Sequence, residues 1–458
     1  MEKYTFSMAN NSKIKSIKAR EILDSRGNPT VEVEIQTDLG KFLASVPSGA
    51  SKGKYEAVEL RDGGKRYQGM GVLKTVKNVN EIIAPKLIGK DSTNQKEINE
   101  ILINLDGTED KSKLGANTIC GVSMAVCRAG AAVKNLPLYS YIGKIYRGQP
   151  PVKFTIPNPC FNVINGGVHA GNDLDVQEFM IVPARNASHS DAGGPQKDSF
   201  SENLQIATEI YHQLKEILAK KFGKSATNLG DEGGFAPPIR FPQEAIELIL
   251  EAAKKINPAP YAQSNLVKQS DRGLGGGVKL ILDVAASQFF KNGKYKMKIG
   301  VFTREGLMRY YEKLIKNYPI LGLEDPFAED DFEGWQLLRS NLNIPLDAQK
   351  FLIIGDDLTV TNPRRIKMAK EKEACNAMIV KINQIGTITE ALEAAKLVKN
   401  FGWKIIVSHR SGETNDDFIS DFAVGIGADF IKSGAPVRGE RVAKYNRLLR
   451  IEEEIIKH

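Results

Sequence analysis

The sequence predicts an α/β protein. A C-terminal (β/α)8-type barrel, opened by a ββ-hairpin rather than a regular βαβ unit, follows an N-terminal α+β domain of antiparallel sheet and helices. Three observations carry this prediction. Short apolar runs recur through the second half of the chain, and each ends on a charged or polar residue: KLILD on Asp283, ILGLE on Glu324, FLIIGDD on Asp356 and Asp357, MIVK on Lys381, WKIIVSHR on His409 and Arg410, ADFIK on Lys432. They lie roughly 25 to 40 residues apart, the length of a strand, a helix and two loops. Between them, stretches such as TREGLMRYYEKLIKNY and TITEALEAAKLVKNF place apolar residues at helical spacing. Apolar runs of this length bounded by turn residues read as buried parallel strands, and chemistry at each C-terminal end describes a barrel mouth.

Taken in order, residues 1–12 read as a polar tail, 13–150 as the first domain and 151–458 as the barrel domain. In the first domain KAREILDSRGNPTVEVEIQ centres on a turn, TVEVEI alternates as a half-buried strand, and KFLASVP returns as a hairpin partner. The small-residue loop SGASKG follows. Residues 67–145 read as helical, and the Ala-, Gly- and Ser-rich part suits close helix packing. The barrel opens with FNVI and EFMIV on either side of a Gly-rich loop, hence the expected hairpin. Polar, Gly-rich insertions are expected at 188–199 and 258–277.

Composition narrows the function classes. The chain has 458 residues, 41% hydrophobic and 26% charged, which exceeds one ordinary domain. Its net charge is +8, but lysine is spread along the chain, so no nucleic-acid partner is expected. A positive field also suits an anionic small substrate. The four cysteines Cys120, Cys127, Cys160 and Cys375 form no CxxC pair and read as reduced core residues. No run of about 18 uninterrupted apolar residues and no signal-length apolar core near the N-terminus occur, so neither a membrane span nor export is expected.

The strand ends carry the chemistry. Asp283, Glu324 and Asp356 would converge on one mouth, where three carboxylates call for a hard divalent cation, Mg²⁺ or Mn²⁺ rather than zinc. Lys381 and Lys432 follow on later strands; a neutral lysine is a strong base, and two lysines near a metal should depress each other's pKa. His409, Arg410 and Ser411 in SHRSGET suit a phosphate. Glu232 sits between glycines in GDEGG, while His169, Gln177 and Glu178 flank the Gly-rich opening of the barrel. GKS at 223–225 is not a phosphate loop, because the glycine needed five residues earlier is Leu218.

In these motifs, and in AREILDSRGNPTVEVEI, PSGASKGKYEAVELRDG, SATNLGDEGGFAP, LDVAAS, LEDPF, GDDLTVTNP, KINQIG and IKSGAP, the sequence resembles the enolases (phosphopyruvate hydratases) over nearly its whole length. The resemblance implies reversible dehydration of 2-phospho-D-glycerate to phosphoenolpyruvate in glycolysis and gluconeogenesis. It implies Lys381 as the base at C2 and Glu232, with Glu178 beside it, as the acid for the C3 hydroxyl. It implies Asp283, Glu324 and Asp356 as ligands of a tight Mg²⁺, and Ser51, in its mobile loop, as a ligand of a second. Arg410 and Ser411 are implied as phosphate binders and Lys432 as the partner of the substrate carboxylate. His169, Gln177, Glu178, Glu324, Asp356 and His409 complete the implied substrate pocket. Two Mg²⁺ per site, a homodimer or an octamer of dimers, and a cytoplasmic location with a secondary cell-surface or secreted pool also follow from it. The chain departs from the family in Gln288, where a glutamate is usual, in the longer insertions, and in a shorter segment after Lys294. The open alternatives are another metal-dependent enzyme that abstracts a proton beside a carboxylate, such as a racemase, which would lack SHRSGET, and a surface or scaffold binding protein.

Overall fold

The computed structural model describes residues 12–50, 52–149, 153–183, 199–256, 278–342 and 351–457. The tail to residue 11, Ser51, the boundary expected at 150 and most of both expected insertions lie outside the described residues.

The N-terminal sheet is a meander of β1 (Ser16–Leu23), β2 (Pro29–Thr37) and β3 (Gly40–Ser45), antiparallel throughout. The alternation in TVEVEI sorts the two faces. Val31, Val33 and Ile35 are fully buried, while Glu32 and Glu34 on the other face pair with Arg20 at 2.5 and 2.9 Å. Two short helices, α1 (Leu73–Lys77) and α2 (Ala84–Leu87), lead to α3 (Gln95–Asp106), α4 (Ala116–Val133) and α5 (Leu138–Arg147). Helix α4 lies on the valine face of the sheet. By length and composition it could cross a membrane, but 83% of that window is buried inside the protein; Asn117, Thr118, Ser123 and Arg128 interrupt its apolar run. A Cβ added at Gly121 would stand 2.8 Å from Val33 Cγ2 and 3.2 Å from Val46 Cγ2. Gly121→Val is therefore expected to force sheet and helix apart and cost about 1–3 kcal/mol, read as a lower urea midpoint. A midpoint at or above the parent's would show slack in this layer.

The barrel is closed by eight strands in the order β10-β11-β12-β13-β14-β4-β5-β6. They are β4 (Asn158–Asn165), β5 (Glu178–Val182), β6 (Lys279–Asp283), β10 (Ile320–Glu324), β11 (Leu352–Gly355), β12 (Ala377–Val380), β13 (Lys404–Ser408) and β14 (Phe430–Lys432). The expected hairpin start is present: β4 and β5 are antiparallel. Strand β5 is antiparallel to β6 as well, whereas the remaining neighbours are parallel. Among the described residues, α6 (Phe200–Phe222) and α7 (Pro242–Ile256) lie between β5 and β6. A capping box by Ser199 and Glu202 starts α6.

A sheet of β7 (Phe290–Lys291), β8 (Lys294–Met297) and β9 (Gly300–Phe302), which the sequence reading did not anticipate, precedes α8 (Arg304–Asn317). The later strands are followed by α9 (Phe332–Asn341), α10 (Pro363–Glu371), the short α11 (Ile382–Ile385) with α12 (Ile388–Asn400), α13 (Phe418–Ile426) and α14 (Gly439–Ile456). Inward residues such as Cys160, Met180, Ile281, Ile354, Ile379 and Ile406 fill the barrel, so its interior is a packed core rather than a pore. All four cysteines are free and buried.

The first domain reaches across to that mouth. Ser48 and Gly412 exchange backbone hydrogen bonds of 2.8 Å, and Arg128 pairs with Asp416 at 2.6 Å and Asp417 at 3.0 Å.

Candidate active site

Register brings the site residues to one level. Glu324 is opposite Asp283, Ser408 opposite Lys432, and Glu178 opposite both Asp283 and Asn165. Because β5 runs against its neighbours, its first residue, Glu178, sits where the others present their last. Asp356, Lys381 and His409 each stand one residue beyond a strand end. His169 ends a 3-10 turn, Gly167–His169. The GDEGG loop folds onto that turn: Asp231 N donates to His169 O at 3.1 Å. Gly230 permits this, since a Cβ there would stand 2.6 Å from the same carbonyl oxygen. One cavity is lined by His169, Gln177, Glu178, Glu232, Asp283, Asp356, Lys381, His409, Arg410, Ser411 and Lys432, with Gly49 and Ala50 of the first domain. Glu324 reaches it through Lys432.

Two lysines organise the acids. Lys432 Nζ lies 2.7 Å from Glu324, 3.4 Å from Glu178 and 3.5 Å from Asp283. Burial opposes its charge, yet Glu178, Glu324 and Asp283 together raise it well above the ordinary lysine range. Lys381 Nζ is ion-paired with Asp356, whose other oxygen accepts from Gln384 Nε2 at 3.0 Å. Burial again opposes the charge, and Asp356 again outweighs it, so Lys381 is also raised. The mutual depression expected of the two lysines is therefore not what this arrangement produces, because the facing carboxylates outweigh lysine–lysine repulsion. Glu324 is pushed well up by burial and then by Asp283, whereas Lys381 helps hold Asp356 down against burial.

On the other side of the cavity, His169 Nδ1 is 3.6 Å from Glu232 and 4.0 Å from Glu178. Asn162 donates to Glu232 Oε2 at 3.1 Å, and His409 Nε2 is 3.5 Å from the same oxygen. The two glutamates are driven apart. Burial and the charge of Glu232 raise Glu178 well above the carboxylate range. Burial also opposes ionisation of Glu232, but the ring dipoles of His409 and His169 and the charge of the Arg441 guanidinium hold it well below that range. Burial keeps both imidazoles neutral, pushing His409 down to about 3. His169 Nδ1, Gln177 Oε1 and His409 Nε2 are buried without a hydrogen-bond partner. Such atoms in a native protein call for a ligand.

Arg410 pairs with Glu56 at 3.0 and 3.1 Å and donates to Asn383 at 3.1 Å. Ser411 Oγ accepts from Ala50 N at 2.5 Å. The roles of several groups escaped the sequence reading, among them Asp357, which it noted only as a strand-end residue. Glu56 and Gln384 lie inside quoted motifs but carry no local signal of their role. Asp357, pushed up to about 8 by burial and then Asp356, lines the same cavity. Asp325 accepts the backbone N–H groups of Asp356 at 3.0 Å and Asp357 at 2.7 Å, so it shapes the loop that carries them.

The donor chemistry fits a hard cation: buried carboxylate oxygens crowd the mouth, and lysine ammonium groups balance their charge. Among the described residues, two sets of possible ligand atoms lie within 4.8 Å of one another: His169, Glu178 and Glu232, and Asp325, Asp356 and Asp357. The expected set of Asp283, Glu324 and Asp356 is not drawn that close, because Lys432 engages the first two and Lys381 the third.

Fold and site define a barrel enzyme with acids, bases and oxygen ligands gathered at the C-terminal mouth. Residues 14–142 match the family model "Enolase, N-terminal domain" and residues 153–458 match "Enolase, C-terminal TIM barrel domain". The chain is 50% identical to "Enolase" of Mastigamoeba balamuthi over 461 positions, covering 97% of this chain and 96% of that protein. To "Enolase 1" of Entamoeba histolytica it is 48% identical over 455 positions, with 96% of each covered. The chain belongs to the enolase family.

Proposed function

We propose that this protein catalyses the reversible dehydration of 2-phospho-D-glycerate to phosphoenolpyruvate, the hydro-lyase step of glycolysis and gluconeogenesis. The observation that carries the reading is one buried cavity lined by a lysine on a strand-end acid, an electrostatically split glutamate pair and an Arg–Ser pair.

Lys381 takes the proton from C2: the C–H bond breaks and an N–H bond forms. Lys381 must first be neutral, which requires Asp356 to be engaged elsewhere. Asp283, Glu324 and Asp356 are the ligands proposed for one Mg²⁺, and Ser51 belongs to the second. Bound there, Mg²⁺ supplies positive charge beside the substrate carboxylate as C2 becomes electron-rich. The glutamate pair then delivers a proton to the C3 hydroxyl, which leaves as water. Burial and mutual repulsion put that proton on Glu178, so the acid is the pair rather than Glu232 alone. Arg410 and Ser411 hold the phosphate, with Arg410 exchanging Glu56 for it. Lys432 faces the substrate carboxylate, and His169, Gln177 and His409 offer their unpaired atoms to the substrate. A cytoplasmic location and a homodimer or an octamer of dimers belong to the same reading; sedimentation mass tests the latter.

The decisive experiment is an ultraviolet assay for phosphoenolpyruvate. Chelator is expected to remove turnover, and added Mg²⁺ to restore it. Chelator-insensitive turnover, or racemisation without dehydration, would overturn the reading.

A further inference from the structure

Arg441, near the start of α14, is fully buried and takes no part in the chemistry above. Its guanidinium holds four groups from two loops. One terminal nitrogen lies 2.5 Å from His409 Nδ1 and 2.6 Å from the Arg410 carbonyl oxygen; the other meets the carbonyl oxygens of Ser411 and, at 3.0 Å, Asp231. A guanidinium has donors and no acceptor, so His409 Nδ1 must be the acceptor in this contact. A neutral imidazole that accepts at one nitrogen carries its proton on the other. The other nitrogen, Nε2, is buried, has no hydrogen-bond partner and stands 3.5 Å from Glu232 Oε2.

We propose that Arg441 is a positioning residue that acts through His409: by occupying Nδ1 it fixes the proton on Nε2, so the ring presents a donor, and never a base, to Glu232 and the substrate cavity. The charged groups facing His409 agree. Glu232 lies on the GDEGG loop, Lys432 on β14 and Arg441 on α14; burial, Arg441 and Lys432 disfavour an imidazolium, while Glu232 favours it. Protonating Nδ1 would also set a donor against the guanidinium and break its contact. His409 is thereby excluded as the acceptor of any substrate proton. An N–H 3.5 Å from Glu232 favours the ionised form of that carboxylate, which leaves the proton of the acid pair on Glu178. This inference rests on the function proposed above only where it names the substrate; the tautomer is a property of the resting protein.

The first test is long-range ¹H–¹⁵N correlation on the full-length protein labelled at histidine. The chain has five histidines, and His409 is assigned by the signal lost in His409→Asn. The expected pattern is a protonated Nε2 and an unprotonated Nδ1, unchanged from pH 6 to pH 8. A proton on Nδ1, or a ring that titrates in that interval, overturns the proposal whatever any variant does. The second test is a double-mutant cycle. Arg441→Met is expected to lower kcat for dehydration by about tenfold or more in the parent, but by less than about threefold in the His409→Asn background. Equal losses in both backgrounds would make Arg441 a general structural residue and end the proposal. If Arg441→Met does not fold, the tautomer in the parent decides. If the parent shows the expected tautomer but dehydrates no 2-phosphoglycerate, the functional reading fails and this one stands.

Discussion

Replacing Lys381 with alanine is expected to abolish exchange of the substrate C2 proton with solvent, a fall of about 10²–10⁴-fold or more. The structure makes the variant informative. Lys381 stands just beyond β12 with its ammonium on Asp356, and this carboxylate keeps a second partner in Gln384 Nε2 at 3.0 Å. Loss of the lysine therefore leaves Asp356 hydrogen-bonded, and the site is expected to fold. Lys381→Arg separates two roles. It restores a cation beside Asp356, but a guanidinium cannot give up its proton, so a base is still missing. Both variants should be silent in deuterium exchange followed by NMR. Exchange restored by arginine would reduce Lys381 to an ion-pair partner, and normal exchange in the alanine variant would remove it as the base altogether.

Glu232→Gln is expected to retain C2 exchange while dehydration falls by about 10²–10⁴-fold. The glutamine oxygen can still accept from Asn162, so the loop is held while the charge is lost. Glu178→Gln is expected to have the same phenotype, because Glu178 is the member whose burial and like-charged neighbour favour the proton. Comparison of exchange and dehydration rates in the two variants assigns the acid. Dehydration preserved in Glu178→Gln but lost in Glu232→Gln would place the proton on Glu232. Equal loss of exchange and dehydration in both would reject the division into two steps.

The strand-end residues were legible because a short buried strand and the polar residue that closes it are adjacent in the chain. Asp283, Glu324 and Lys432 are the last residues of their strands, and Asp356, Lys381 and His409 the first beyond theirs. The hairpin opening of the barrel was legible for the same reason, since β4, its Gly-rich loop and β5 are contiguous. The β7–β9 sheet was not, because strands of two to four residues carry too little alternation to register. The SHRSGET motif singled out Arg410 as a candidate for holding phosphate, but its pairing with Glu56 was not legible. Nothing in the local pattern links residues 354 positions apart.

Sequence alone determined the alternation of barrel strands and helices, the residues that close those strands, and through its motifs the family. These follow from local periodicity and from residue types at fixed spacing. Tertiary structure decided the charge states. Whether Lys381 holds a proton, which of Glu178 and Glu232 is acidic, and which nitrogen of His409 faces the cavity depend on burial and on partners brought in from distant strands and the last helix. Electrostatic energy is set by distance in space, and the chain brings those groups together only once it has folded.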